Sequence, residues 1–373
     1  MKALVLSCNT GQGHNSAGKA VIDELTKRGV ECEMLDTLAF GSELASEVVC
    51  KIHSKCAMHA PKIYAMGFRA AEKIDESPVK PSPCYLANAT YADDLYKYIT
   101  ENGYDTIIMP HVFPSEALTR IKKKHAPNIR TYFIGTDYAY PPFLKETDVD
   151  AYFIAHKDLI DEFEENGIAR NKLVPTGIPV SEKFLRKTDK NEARRKLGLP
   201  MDGKILLVMT GSMGLGDNMA LIGGLLDKIP DETHVVVMGG NNEKMKNELR
   251  NTYRHDARLT VLDFTTEVSL YMDACDILFT KPGGLSTTEA AVKGIPMIHT
   301  SPIPGWEESN VNFFREHGMS LCGETPDELV TAVLYLLGNP WTREQMVENQ
   351  NTLINKFAAR DICDYILQPN SIR

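Results

Sequence analysis

Little in this sequence points to a membrane span, an export route or a nucleic-acid partner. No apolar run among its 373 residues approaches the roughly 20 that a membrane-crossing helix needs. The opening MKALVLSCNTGQGH turns polar too early for the core of a signal peptide. Positive charge is scarce: 41 Lys and Arg stand against 50 Asp and Glu, a formal net charge of −9. That speaks against a broad basic face able to displace counterions, so no nucleic acid is expected as a partner. The eight cysteines (Cys8, Cys32, Cys50, Cys56, Cys84, Cys275, Cys322 and Cys363) contain no CxxC pair and no regular spacing. Reduced thiols of a cytoplasmic protein are therefore expected, not disulfides or zinc ligands. Low-complexity tracts are missing too, and 43% hydrophobic with 24% charged residues is the composition of an ordinary globular chain.

The length fits two α/β domains better than one core. Short aliphatic runs alternate with amphipathic stretches, the pattern of parallel sheets wrapped by helices. Ala3 to Ser7 reads as a buried strand, a Gly-rich turn follows, and Ala17, Ala20, Val21 and Leu25 recur at helical spacing up to Gly29. Further strands are expected at Thr106 to Met109, Tyr132 to Gly135 and Tyr152 to Ala155. The charged stretch RKTDKNEARRKLGLPMDG near residue 186 reads as a linker with a short helix. Beyond it the strand, Gly-rich loop and helix are replayed at Lys204 to Met209, Gly211 to Gly216 and Ala220 to Leu226, and strands are expected at Val235 to Met238, Leu259 to Val261, Ile277 to Thr280 and Pro296 to His299. The expected domains are 1–185, 186–345, and a helical tail, 346–373, that returns to the first.

A Gly-rich turn between a parallel strand and a helix aims backbone N–H groups outward at the positive end of the helix dipole, a setting for a phosphate or diphosphate. Three such turns occur: TGQGH with Gly11, Gly13 and His14, TGSMGLG with Gly211, Ser212 and Met213, and KPGGLSTTE with Gly283, Gly284, Leu285, Ser286 and Glu289. None has the Gly-Lys-Ser/Thr of a P-loop or the full GxGxxG spacing with its later acid, which weakens ATP and NAD readings. The spacing from Ser286 to Glu289 is also that of a capping box, so Glu289 is expected either to hold the amide of its own helix cap or to accept the ribose hydroxyls of a nucleotide.

TKPGGLSTTEAAVKGIPMI followed by PIPGWEESN, with NTGQGHNSA near the start and GTDY in the middle, resembles the monogalactosyldiacylglycerol synthase and processive diacylglycerol glucosyltransferase family of inverting GT-B enzymes, glycosyltransferase family 28. The resemblance runs over nearly the whole chain. It implies an α/β fold of two facing Rossmann-like domains with an interdomain cleft, a UDP-sugar donor and a lipid acceptor on a membrane surface. Carried over, it gives the ribose to Glu289, the phosphates to Gly283 to Ser286, the uracil to the backbone at Phe264, and sugar contacts to Glu307 and Asn310. Trp306 stands where the plant synthases have glutamine, so the sugar is left open.

Inverting transfer needs a base for the acceptor hydroxyl and a partner for the departing diphosphate. His14 matches the family's histidine and has a suitable ordinary pKa, while His111 in MPH and Asp137 in GTDY end expected strands and could serve as base or orient His14. Catalysis by loops and helix dipoles does not call for a metal, so neither metal nor other cofactor is expected. Between Val48 and Lys73, Lys51, Lys55, Lys62 and Arg69 are interleaved with Tyr64, Phe68 and other apolar residues, a mixture suited to an anionic membrane surface as well as to a solvated helix face. The stretch from Arg120 to Arg130, with KKKH at its centre, is expected to be an exposed loop. The expectation is a hexosyltransferase from UDP-sugar to diacylglycerol, attached to the cytoplasmic face of the membrane. A polyprenyl-linked or small soluble acceptor, a UDP-sugar 2-epimerase and a binding protein without turnover are the alternatives.

Overall fold

The computed structural model describes residues 1–8, 12–41, 66, 70–71, 73–75, 80–210, 218–300, 302 and 306–368. The chain divides into two compact units. Met1–Ser181 and Asn355–Arg373 make up most of one, and Glu182–Ile303 with Glu307–Ile354 the other.

The first unit carries a parallel sheet of six strands, β1 (Lys2–Ser7), β2 (Glu31–Asp36), β3 (Thr106–Met109), β4 (Arg130–Ile134), β5 (Ala151–Phe153) and β6 (Leu173–Val174). They lie in the order β2-β1-β3-β4-β5-β6. Central strands of such a sheet are covered on both faces and read as continuous apolar runs. Accordingly ALVLS of β1 and TIIM of β3 are wholly buried. Helix α1 (Gln12–Lys27) buries Ala17, Ala20, Val21 and Leu25. It lies so close to the sheet that a Cβ on Gly18 would stand 2.9 Å from Val5 Cγ1.

Helix α2 (Val112–His125) follows β3 and includes most of the basic stretch expected to be a loop. The correction has an electrostatic reason, since Lys122, Lys123, Lys124 and His125 fill the last turn, where cations complement the negative end of the dipole. Lys122 also pairs with Asp150 at 3.0 Å and Lys124 with Asp93 at 2.6 Å.

The C-terminal helix Ala358–Leu367 packs Ile362, Cys363 and Ile366 into the core formed by Val5, Ile108, Ile134 and Phe153. Arg28 fastens it through Asp364 at 2.5 Å, and Arg130 donates to the Ile366 carbonyl at 2.8 Å.

The second unit repeats the plan with β7 (Lys204–Met209), β8 (Thr233–Met238), β9 (Leu259–Leu262), β10 (Ile277–Thr280), β11 (Met297–His299) and β12 (Leu321–Cys322), in the order β12-β11-β10-β7-β8-β9. The charged stretch before β7 forms helix α3 (Lys190–Leu197), capped by Asp189 and pinned by Asp276, which takes Arg194 at 2.6 Å, Lys190 at 2.9 Å and the Ile205 amide at 2.9 Å. Helix α4 (Asn218–Lys228) contributes Leu221, Ile222, Leu225 and Leu226 to the core. Helices α5 (Gly284–Lys293), α6 (Trp306–Glu316) and α7 (Pro340–Leu353) follow. The sequence reading split α7 between the donor half and the tail, but the helix stays with the second unit. Gln350 is fully buried and its amide donates to the carbonyls of Ile295 and Met319, both at 3.0 Å.

Candidate active site

In open parallel sheets, ligands gather beyond the carboxyl ends of the strands where the strand order reverses. Here β1 has β2 on one side and β3 on the other, and β7 has β8 on one side and β10 on the other. Each unit therefore has one such crevice. The first receives the segments after β1 and β3, the second those after β7 and β10.

At the first crevice the structure brings together all three candidate bases. His14 sits in the first turn of α1 and not in the turn before it, with Gly13 beside it in the same helical turn. His111 ends the segment after β3 and caps α2, its Nδ1 accepting from the Phe113 amide at 3.1 Å. The two imidazole rings meet edge to face with centroids 4.8 Å apart. Asp137 follows β4, the next strand of the sheet.

The two rings and the acid are not equivalent. A neutral His111 whose Nδ1 accepts a hydrogen bond carries its proton on Nε2 and has no second lone pair to offer. His14 is different: its pKa is lowered, chiefly by desolvation, against opposing pulls from the Asp137 charge and the Pro110 carbonyl. It is thus a neutral ring at pH 7, as a general base must be. Thr136, buried beside it, places Oγ1 2.9 Å from His14 Nδ1, a contact the motif GTDY contained but periodicity could not reveal.

At the second crevice β10 delivers Lys281, Pro282 and Gly283 to the mouth of α5. Gly283 is the cap residue, extended at φ −70° and ψ 134°, and no side chain caps this helix. A Cβ on Gly283 would meet open space. The first amide to bond back is that of Thr287, to the Gly283 carbonyl at 3.0 Å, so Leu285 and Ser286 lie in the first turn, where amides lack helical acceptors.

The capping-box reading of Ser286 and Glu289 is corrected here. The helix starts at Gly284, which makes Ser286 its third residue and Glu289 its sixth, too far along to reach a cap. The Glu289 carboxyl is half-buried, and desolvation pushes its pKa up to about 8 against the opposing charge of Lys183. Among the described residues no hydrogen bond satisfies it.

Helix α6 braces the same loop. Lys281 Nζ lies 3.1 Å from Glu307 Oε1, and Asn310 donates to the Pro282 carbonyl at 2.8 Å. Glu307 is nearly buried and Asn310 fully so, and these two bonds hold the loop. Phe264 stands two residues beyond β9 with a side chain 72% exposed. Gly11, Gly211, Ser212 and Met213 lie outside the described residues, as do Lys51, Lys55, Lys62, Tyr64, Phe68 and Arg69 of the basic, apolar segment. Among the described residues no helix is long and apolar enough to cross a membrane, and no group of three or more His, Cys, Asp or Glu could hold a metal.

Comparison with known proteins agrees with this division. Residues 14–180 match the family model of monogalactosyldiacylglycerol (MGDG) synthase, and residues 189–352 that of the glycosyl transferases group 1. A processive diacylglycerol β-glucosyltransferase of Bacillus pumilus is 26% identical over 374 residues, covering 100% of this chain and 96% of the relative. In overall fold the chain is similar to MurG of Acinetobacter baumannii, with a TM-score of 0.64, 14% identity and coverage of 98% and 99% of the two chains. A UDP-GlcNAc 2-epimerase of Neisseria meningitidis, solved with UDP-GlcNAc, matches equally, with a TM-score of 0.64, 14% identity and coverage of 99% and 100%. Those two likenesses establish the two-domain GT-B fold. The chain is thus a glycosyltransferase assembled from an MGDG-synthase domain and a group 1 glycosyl-transferase domain, and along its full length it resembles the processive diacylglycerol β-glucosyltransferases.

Proposed function

We propose that this chain moves a hexose from a UDP-sugar to the free hydroxyl of diacylglycerol, with inversion at the anomeric carbon, giving a glycosyl diacylglycerol. The observation that carries the reading is the mouth of α5. Five residues at 1.5 Å per residue set Glu289 about 7.5 Å along the axis from Gly284, a separation suited to a diphosphate on the first-turn amides and a ribose on the Glu289 carboxyl. Glu307 and Asn310 shape the loop and with it the place of the sugar. The backbone at Phe264 is proposed to meet the uracil.

His14 then removes the proton of the acceptor hydroxyl as its oxygen bonds to the anomeric carbon. The bond from that carbon to the diphosphate breaks, and its electron pair leaves with UDP. The positive end of α5 offsets the charge that develops there. No metal enters the reaction so drawn. The basic and apolar segment with Lys51, Lys55, Lys62, Tyr64, Phe68 and Arg69 is proposed to meet an anionic membrane surface at the cytoplasmic face, where the lipid acceptor resides.

The test offers the purified chain a panel of UDP-sugars with vesicles that contain diacylglycerol and identifies products by mass. A diacylglycerol heavier by one hexose is expected. Conversion of the UDP-sugar to its epimer without lipid, or transfer to a soluble alcohol alone, would overturn the reading.

A further inference from the structure

We infer that Thr136 is a positioning residue that sets the tautomer of His14. The inference rests on the reading of His14 as the base. Thr136 Oγ1 lies 2.9 Å from His14 Nδ1 and 3.4 Å from Asp137 Oδ2. A hydroxyl has one proton to give. The Asp137 carboxylate is acceptor-only when ionised, so the threonine proton goes to it. The same oxygen then has only lone pairs left for the ring, and Nδ1 must be the nitrogen that carries the hydrogen.

The consequence lies at the other side of the ring. With Nδ1 protonated, Nε2 keeps its lone pair and is the nitrogen that takes the acceptor's proton. As the imidazolium forms, the chain from Nδ1–H through the Thr136 hydroxyl to Asp137 gives its positive charge a neighbouring negative one. His111 abuts the ring at 4.8 Å, and the Pro110 carbonyl further favours the protonated form. Burial of Thr136, 8% exposed, keeps water from replacing the hydroxyl. A valine has the same shape and neither bond.

The test compares Thr136→Val, Thr136→Ser and His14→Ala in steady-state transfer to diacylglycerol vesicles, with nitrogen-15 NMR of the His14 ring at pH 8. Thr136→Val is expected to lower kcat about 10- to 100-fold with the donor KM nearly unchanged and the acid limb of the pH profile displaced downward, while its ring shows a mixture of tautomers. Thr136→Ser is expected to restore both kcat and the Nδ1–H form, and it preserves the test if the valine variant folds poorly. Wild-type kcat in a folded Thr136→Val, or a wild-type ring without the Nδ1 proton, would overturn the inference. Full transfer by His14→Ala would instead remove the base reading and the positioning role with it, whatever the ring's tautomer.

Discussion

Lys281 and Glu307 form an ion pair of 3.1 Å between the segment that leads into α5 and the first turn of α6, with side chains only 15% and 8% exposed. Such a pair adds little net stability over apolar residues of the same volume, but taking away one partner leaves a desolvated charge behind. Lys281→Met is therefore expected to cost about 3 kcal/mol in urea unfolding and to raise the KM for the UDP-sugar. The double variant Lys281→Met with Glu307→Leu should recover most of the stability without recovering the KM. Additive losses in the double variant would contradict a coupled pair.

The two crevices separate binding from chemistry. His14→Ala is expected to bind UDP as the native chain does and to lose about 10²- to 10⁴-fold in transfer rate. Glu289→Ala is expected to weaken UDP about 10- to 100-fold at pH 7, the worth of two ordinary hydrogen bonds to a carboxyl that its raised pKa keeps largely protonated. Calorimetric titration of UDP into both variants, beside their rates, distinguishes the roles, and an unchanged dissociation constant in Glu289→Ala would remove the ribose contact.

The depressed pKa of His14 fixes the direction of a pH effect. Because desolvation lowers it from 6.5, the ring stays neutral into mildly acidic solution. The acid limb of kcat/KM should thus fall below pH 6.5, and Asp137→Asn, which removes the opposing charge, should move it lower still. A midpoint above 6.5 in the native chain would argue against His14 as the titrating base.

Glu289 couples to stability with the opposite sign from a salt-bridged acid. Its folded pKa of about 8 lies above the ordinary 4.5, so the folded state binds the extra proton. The penalty is absent below pH 4.5, grows as pH rises from 4.5 to 8, and is constant beyond. Glu289→Gln should consequently raise the melting temperature by more at pH 8.5 than at pH 5. Equal shifts at the two values would show that the carboxyl is not desolvated.

Legibility in the sequence followed burial. Strands β1, β3, β7 and β10 were readable because central parallel strands are nearly uninterrupted apolar runs. The edge strand β2, ECEMLD, escaped notice because its charged and half-exposed residues mimic a loop, and β6 and β12 have two residues each. The SxxE spacing at Ser286 left a capping role open for Glu289 because a motif gives spacing but not the residue at which a helix starts. Thr136 could not be assigned from its neighbours in sequence, since its partner His14 lies 122 positions away and only the parallel sheet joins them.

The central claim is that the mouth of α5 holds the diphosphate of the donor, and a crystal structure with UDP tests it most directly. The phosphates are expected against the amides of Gly284 to Ser286 and the ribose hydroxyls on the Glu289 carboxyl. UDP seated at another strand end, or bound with Glu289 turned away from the ribose, would contradict it.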